Sequence, residues 1–385
     1  MTEAGDTIFL QFYKRTWPRF SILKLGSALF LASAFLGTGM CFGESDPGFG
    51  QIVAADFARW DSNHDGELSP DEIDALIENP QVKGDEAAAV VAIRNIFSRG
   101  KKLDESKRIS RDQLLALAED SSVENDFRWN EEKIKSCNHA PFLPGDPNLP
   151  SVQQGPMGDC YLIAVVGALV NSNPQVIRDM IKPLPDNLFE VDFPDGTKAV
   201  VAGATDAELI QGAAVGRNHG IWLDILEKAF AQTRFGTNQT AEVPRDILPG
   251  GRTPPSIRRF TGHVVVNLWL DRANGNDPPP TIQQIDELLV RLTQENRIIT
   301  AGGLRRRGKL PAGIVRGHCW AVVGYVPQSQ MVQIFNPWGN EFEPKGPPGL
   351  VNGYAVHCGV FSMPLREFLQ VFQILNYETD QPLNG

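Results

Sequence analysis

The sequence predicts an α+β protein in two parts, a small all-helical unit followed by a larger two-lobed domain in which helix precedes sheet. Three observations carry that expectation. Apolar residues recur at helical spacing on both sides of an acidic, glycine-centred loop at residues 61–72. A Gly-rich extended run, Gln153-Gln154-Gly155-Pro156-Met157-Gly158-Asp159, turns at Cys160 into an apolar helix that ends near Asn173-Pro174. Strand-like runs follow, at 189–193, 264–269, 319–325, 332–335 and 356–361.

The N-terminus stands apart from both units. Lys14, Arg15, Arg19 and Lys24 precede an uncharged apolar run at residues 25–42. That order reads as a secretory signal over residues 1–43, with cleavage expected after Gly43. The run also approaches the length of a membrane-spanning helix, so an uncleaved anchor at 25–42 is the alternative. Met40 is too large for the small residue that usually precedes a lipidated cysteine. The protein is therefore expected to be exported, periplasmic or secreted, and to meet a membrane only if the segment is kept.

Residues 48–124 are expected to form a pair of EF-hands. Asp61-Ser62-Asn63-His64-Asp65-Gly66-Glu67-Leu68-Ser69-Pro70-Asp71-Glu72 fills every position of the calcium-loop pattern. Asp61, Asn63 and Asp65 would offer side-chain oxygens, Glu67 its carbonyl, and Glu72 both carboxylate oxygens, with Ser69 acting directly or through water. Gly66 permits the sharp turn. Ile52, Val53, Phe57 and Trp60 before the loop, and Ile73, Leu76 and Ile77 after it, mark the flanking helices. The plainer reading is a solvated acidic turn. A second helix at 84–98 leads to a degenerate loop at 102–113, in which Lys102, Lys107 and Gln113 replace the first ligand, the glycine and the clamping glutamate. Ile109 occupies the position of Leu68, which pairs in a two-strand ribbon. One Ca2+ is expected, with the second loop bracing the first.

Residues 125–150 read as a linker or extended lead-in, with Pro141, Pro144, Pro147 and Pro150 crowding its second half. The larger domain is expected at 137–380. Cys160 begins a helix, where the positive end of the dipole favours a thiolate. A cysteine in that place is otherwise plain core, but Gly317-His318 and Asn336-Pro337-Trp338-Gly339 downstream give it partners. Cys160 would attack a carbonyl as the thiolate, and His318 would hold the thiolate as imidazolium and then protonate the leaving amine. Asn336 would orient the imidazole. The Gln154 amide and the Cys160 backbone N–H would form the oxyanion hole, although Gln153 stands next to Gln154 and competes for that register. His64, His139, His219, His263 and His357 receive no role.

Q-G-x-x-G-D-C-[aromatic], G-H-x-[aromatic] and N-P-W-G, in that order, resemble the calpain family of papain-fold cysteine proteases. Three further stretches resemble it too: the helix Ile221-Trp222-Leu223-Asp224-Ile225-Leu226-Glu227-Lys228-Ala229-Phe230-Ala231, the strand start Arg259-Phe260-Thr261-Gly262, and Phe361-Ser362-Met363-Pro364-Leu365-Arg366-Glu367-Phe368. The likeness covers roughly residues 137–375. It implies a two-lobed papain-like protease acting on protein and peptide substrates, with Trp338 shielding the His318–Asn336 bond. Two departures touch calcium. Where the family carries an acidic residue just before the oxyanion glutamine, this chain has Ser151. Where it carries a Trp-Ser-Asp run after N-P-W-G, this chain has Phe342 with Glu341 and Glu343. Calcium is therefore expected to act through the N-terminal loop alone.

Charge and cysteine content narrow the alternatives. A net charge of −10 argues against a nucleic-acid partner, which wants a basic face. Five cysteines in a chain of 385 residues give no disulfide framework, because a core this large needs no staples. Beside the calcium-linked cysteine endopeptidase stand a transglutaminase-like acyl transferase and a catalytically dead calcium-binding surface protein. Asn336 and Gln154 speak against the first, since the transferases usually place Asp third. An intact Cys-His-Asn set speaks against the second.

Overall fold

Ser69 shows how the N-terminal helices are set. Its hydroxyl accepts from Glu72 N–H, the Glu72 carboxylate returns to Ser69 N–H, and Pro70 opens the helix. Both first-turn donors are thus satisfied. The computed structural model describes residues 46–99, 108–213, 219–234, 248, 250–271, 278–304 and 310–383. The expected signal or anchor at 1–43 and residues 102–107 of the second loop lie outside them.

The N-terminal unit comprises α1 (Phe49–Trp60), β1 (Glu67–Leu68), α2 (Pro70–Glu78), α3 (Gly84–Arg99), β2 (Ile109–Ser110), α4 (Arg111–Leu117) and α5 (Ser121–Ser136). Phe49, Val53, Phe57 and Trp60 line the buried face of α1, at the spacing the sequence displays. Residues 87–93 of α3 are all buried, so this helix is the unit's axis. β1 and β2 pair antiparallel, Leu68 opposite Ile109.

The linker expected from residue 125 is corrected: α5 continues to Ser136. Val123, Phe127, Asn130 and Ile134 fall on one buried face, and Asn130 Nδ2 donates to the Ala88 carbonyl at 3.0 Å. Only the proline-rich remainder, from Cys137 on, is irregular. It ends in a single 3-10 turn at Leu149–Ser151.

The larger domain begins with helices. α6 (Cys160–Ser172) and α7 (Pro174–Met180) are followed by a three-stranded antiparallel sheet, β3 (Ile181–Leu184), β4 (Leu188–Asp192) and β5 (Lys198–Ala202). Next come α8 (Asp206–Gln211), α9 (Trp222–Thr233) and α10 (Thr253–Thr261). The second lobe is a six-stranded sheet in the order β10-β9-β8-β7-β11-β6. Its strands are β6 (His263–Trp269), β7 (Ile299–Leu304), β8 (Trp320–Val326), β9 (Met331–Phe335), β10 (Val360–Pro364) and β11 (Phe372–Pro382), joined by α11 (Ile282–Gln294) and α12 (Leu365–Val371). Helix and sheet are thus mixed, in the order the sequence predicts.

Two local expectations shift. Arg259-Phe260-Thr261 closes α10 instead of opening a strand, because Gly262 takes the left-handed cap at φ 70° and β6 starts after it. The run expected at 356–361 becomes a strand only at Val360. Positive φ at Cys358 and Gly359 makes a turn there, and Val356 forms an isolated bridge to Phe342.

α6 is buried along nearly its whole length and lies against β7, β8 and β9. Gly167 makes that approach possible, since a Cβ there would lie 2.4 Å from the Phe335 ring. α8 joins two cores. Ala207 and Ile210 pack with the N-terminal unit, while Leu209 packs with α6 and α9. Thr205, its N-cap, donates to the Ile77 carbonyl at 2.5 Å, and Gly84 N–H donates to Asp206 Oδ2 at 2.8 Å.

Candidate active site

Cys160 is the first residue of α6, and Asp159 is its N-cap, with the Asp159 carbonyl accepting from Leu162 N–H at 2.7 Å. The extended run before it is tied to the loop after Asn336. Gln154 N–H donates to the Pro337 carbonyl at 2.7 Å, and Gln153 Nε2 donates to the Trp338 carbonyl at 3.1 Å. Cys160 is thereby fixed relative to the sheet lobe from in front as well as through the packing of α6.

His318 lies just before β8 and Asn336 just after β9. These strands are antiparallel neighbours with Ala321 opposite Phe335, so the two residues emerge at the same end of the hairpin. Both are buried. His318 Nε2 and Asn336 Oδ1 are 2.7 Å apart. Asn336 Oδ1 also accepts from Trp338 N–H at 3.2 Å, and its Nδ2 donates to Asn340 Oδ1 at 2.9 Å. The oxygen can only accept, so Nε2 carries the proton and Nδ1 is left for the thiol. The Trp338 ring stands 4.5 Å from the imidazole, centroid to centroid, and Trp320 meets it edge-on at 4.6 Å. The imidazole–amide bond is walled by two indoles, which keeps water from competing for it.

Hydrogen bonds hold the Cys160 thiol well below its ordinary pKa: first from the Cys319 thiol, then from His318, whose charge acts in the same direction, and from the Cys319 backbone N–H. Burial opposes them. Gln154 is buried, and its Nε2 donates to the Met157 carbonyl, with the Asp159 carboxyl also within the amide's reach. Gln153, held by Trp338, is engaged elsewhere.

Two groups beside the thiol escaped the sequence reading. Trp320 stands in the quoted G-H-x-[aromatic] motif but was given no task. The second is a set of buried carboxyls, Asp159, Asp224 and Glu227, each no more than 3% exposed. Burial pushes Asp159 up to about 7, with the Cys160 charge adding to it, and holds Asp224 and Glu227 well above the usual carboxylate range, with the Glu208 charge adding for Asp224 and the Asp159 and Asp224 charges for Glu227. Glu227 Oε2 accepts from Ala213 N–H at 2.7 Å, and the Glu227 and Gln154 side chains act on the Asp159 carboxyl. Their spacing in sequence carries no signal, because only tertiary burial brings them together.

The acidic loop is laced by its own hydrogen bonds. Asp61 Oδ2 accepts from Gly66 N–H at 2.9 Å, and Asn63 Oδ1 from Asp65 N–H at 2.8 Å. Glu72 Oε1 accepts from Ser62 N–H and hydroxyl, Oε2 from Ser69 N–H and hydroxyl. The Arg108 guanidinium pairs with Asp65. Gly66 turns the chain at φ 85°. Among the described residues no three acidic, His or Cys side chains converge closely enough to hold a metal as they stand. Glu67 is the remaining sequence-predicted ligand, and its N–H donates to Asp65 Oδ1. At the two departures the side chains are engaged otherwise. Ser151 is buried with its hydroxyl on the Asn148 carbonyl at 2.6 Å, and Glu341 and Glu343 flank His357 at 3.2 and 3.7 Å.

A thiol at a helix start thus stands near a His–Asn pair at the ends of two neighbouring strands. The family model described as "Calpain family cysteine protease" matches residues 104–348, and the chain belongs to that family. Calpain-B of Drosophila melanogaster is 27% identical over 218 residues, covering 51% of this chain and 22% of that protein. Calpain clp-1 of Caenorhabditis elegans is 28% identical over 278 residues, covering 63% and 32%. Calpain-9 of Homo sapiens is 22% identical over 216 residues, covering 51% and 29%. The chain thus spans less than a third of each of these relatives.

Proposed function

We propose that the chain is a cysteine endopeptidase that hydrolyses peptide bonds of protein substrates through Cys160, His318 and Asn336. The observation that carries the reading is the 2.7 Å His318–Asn336 bond under two indoles, with the lowered Cys160 thiol against the free imidazole nitrogen. The thiolate adds to the scissile carbonyl, and the oxyanion is received by the Cys160 backbone N–H and the second N–H of Gln154. His318 Nδ1–H protonates the leaving amine. The same nitrogen then takes a proton from water as the thioester is hydrolysed, while Asn336 keeps the ring in plane. An epoxysuccinyl probe tests the reading: it should label Cys160 in the full chain and stop casein cleavage, and failure of both would remove the endopeptidase.

The acidic loop fits calcium by donor type. Asp61, Asn63, Asp65, the Glu67 carbonyl and Glu72 are hard oxygen donors on a loop turned by glycine, the set such a cation takes. Bound there, calcium would neutralise buried carboxylate charge and hold α1 and α2 at a fixed angle. We expect one ion per chain by calorimetry. Glu72→Gln should weaken binding far more than Ser69→Ala, because Glu72 supplies two oxygens. Two or more ions, or equal effects, would assign calcium elsewhere. The basic-then-apolar start supports export, with 25–42 as cleaved signal or retained anchor, and sequencing the mature N-terminus decides between them.

A further inference from the structure

The run that carries Gln154 is gripped from two sides. The Pro337 and Trp338 carbonyls hold Gln154 and Gln153 on the sheet side. On the helix side the run meets the peptide unit that joins Gly212 to Ala213. The Gly212 carbonyl oxygen lies against Gly155 so closely that no Cβ fits there. Two helices set this unit. Gly212 N–H donates to the Glu208 carbonyl of α8 at 2.8 Å, and Ala213 N–H donates to Glu227 Oε2 of α9 at 2.7 Å. Glu227 and Asp224, one turn apart on α9, also press on Gly212: a Cβ on it would lie 2.9 Å from Glu227 Oε2 and 2.7 Å from Asp224 Oδ1. Lys228, next to Glu227, pairs with Glu208 at 2.8 Å and ties α9 to α8. In a trans peptide the C=O and N–H point opposite ways in one plane. The bond from Ala213 N–H to Glu227 therefore aims the Gly212 carbonyl at Gly155.

We propose that Glu227 is a positioning residue for the oxyanion site: through the Gly212–Ala213 peptide it seats Gly155, and with it the neighbouring Gln154 amide. The proposal rests on the endopeptidase reading, which gives Gln154 its task. Glu227 acts through the backbone and not on the reacting atoms.

Packing gives no reason for a carboxyl in this place. Glu227 is 1% exposed, and burial raises it well above the usual carboxylate range, so its ionised form weighs on the fold. An apolar side chain of the same length would fill the space without that cost. It could not accept from Ala213 N–H, however, which would leave a buried donor unpaired and the peptide free to turn. Turning swings the Gly212 oxygen off Gly155, and the run before Cys160 is then held from the sheet side alone. A misplacement of about 1 Å in a catalytic group costs up to about a hundredfold in rate.

The test is a double-mutant cycle in the full chain, with casein cleavage counted per Cys160 that iodoacetamide can alkylate. Glu227→Leu should lower kcat about tenfold with KM unmoved. Its alkylation rate should stay that of the unaltered chain, because alkylation forms no oxyanion. Glu227→Gln keeps an acceptor oxygen for Ala213 N–H and should restore most of the lost kcat. Glu227→Leu combined with Gln154→Ala should be no slower than Gln154→Ala alone, since a residue that acts through another adds nothing once the other is gone. Losses that multiply in the double variant overturn the proposal, as does full kcat in Glu227→Leu or a Glu227→Gln as slow as Glu227→Leu. If Glu227→Leu does not fold, Glu227→Asp takes its place in the cycle, its carboxyl one methylene short of Ala213 N–H. An unaltered chain that cleaves no casein would sink the endopeptidase reading and this role together, whereas an active chain with multiplying losses would sink only the role of Glu227.

Discussion

The two sides of the candidate site solve the same problem by opposite means. On the sheet side the working polar groups are matched: His318 to Asn336, Asn336 to Asn340 and to Trp338 N–H. On the helix side Cys160 stands on a helix end whose cap, Asp159, is a fully buried carboxyl beside Glu227. The sheet side is held by hydrogen bonds, and the helix side by protonation. A carboxylate next to the thiolate would oppose it, so keeping a proton on Glu227 and Asp159 lets the negative charge settle on sulfur. Preorganisation in this site is therefore geometric in one lobe and electrostatic in the other.

Removing either reactive group should erase the comparison. Cys160→Ala and His318→Ala should each lower casein cleavage by about a thousandfold or more without unfolding the chain. In His318→Ala, iodoacetamide should also lose its fast reaction with Cys160 at pH 6; an unchanged rate would show that the imidazole does not hold the thiolate. Smaller effects separate the lobes. Gln154→Ala should cost about 2.7–4 kcal/mol in kcat with KM unmoved, since the oxyanion exists only in the transition state. If Gln153→Ala does so instead, the register is off by one. Asn336→Ala should be milder, about a hundredfold or less. It should leave Cys160 alkylatable, because the His318 imidazole is still present to act on the thiol.

The smallest effect is on stability and belongs to the helix side. A carboxyl whose folded pKa is raised is ionised first in the unfolded chain. The folded state then binds the extra proton, so stability falls as pH rises from the unfolded value near 4 through the folded value. Asp159, at about 7, places that decline between roughly pH 4 and 7, with Glu227 extending it upward. Glu227→Gln should therefore raise the unfolding free energy from denaturant titration at pH 8, by about 1–3 kcal/mol, and change little at pH 4. A gain of equal size at both pH values would show that Glu227 carries no ionisation cost.

Local chemistry made much of this legible beforehand. The Ser69–Glu72 box, the apolar face of α1, the helix start at Cys160 and the hairpin that pairs His318 with Asn336 are all written in short patterns. What stayed hidden depends on distant partners. β3, β5, β7 and β11 were not read from the sequence, and β11 becomes a strand by lying between β6 and β7. α5 carried its own signals, Asp120 as cap and Val123, Phe127 and Ile134 at helical spacing, but the prolines after Cys137 drew the linker boundary too early. The Cys319 contact and the three buried carboxyls arise where segments far apart in the chain meet, and no window of sequence contains them.

α8 is short, yet it makes the N-terminal unit and the protease lobes one thermodynamic object. Ala207 and Ile210 complete the core around α3, so a protease cut free at residue 137 would leave them bare, together with the Thr205 hydroxyl that now meets the end of α2. Behind α8 the chain passes to Gly212, whose carbonyl presses so close to Gly155 that a Cβ there would lie 1.4 Å away; Gly155 is the neighbour of Gln154. Any ligand that tightens the loop at 61–72 by RT ln(1 + [L]/Kd) therefore tightens the whole molecule by that amount. Heating should melt both units in one transition, and what steadies the far end of α2 also steadies the run through Gly155 beside Gln154.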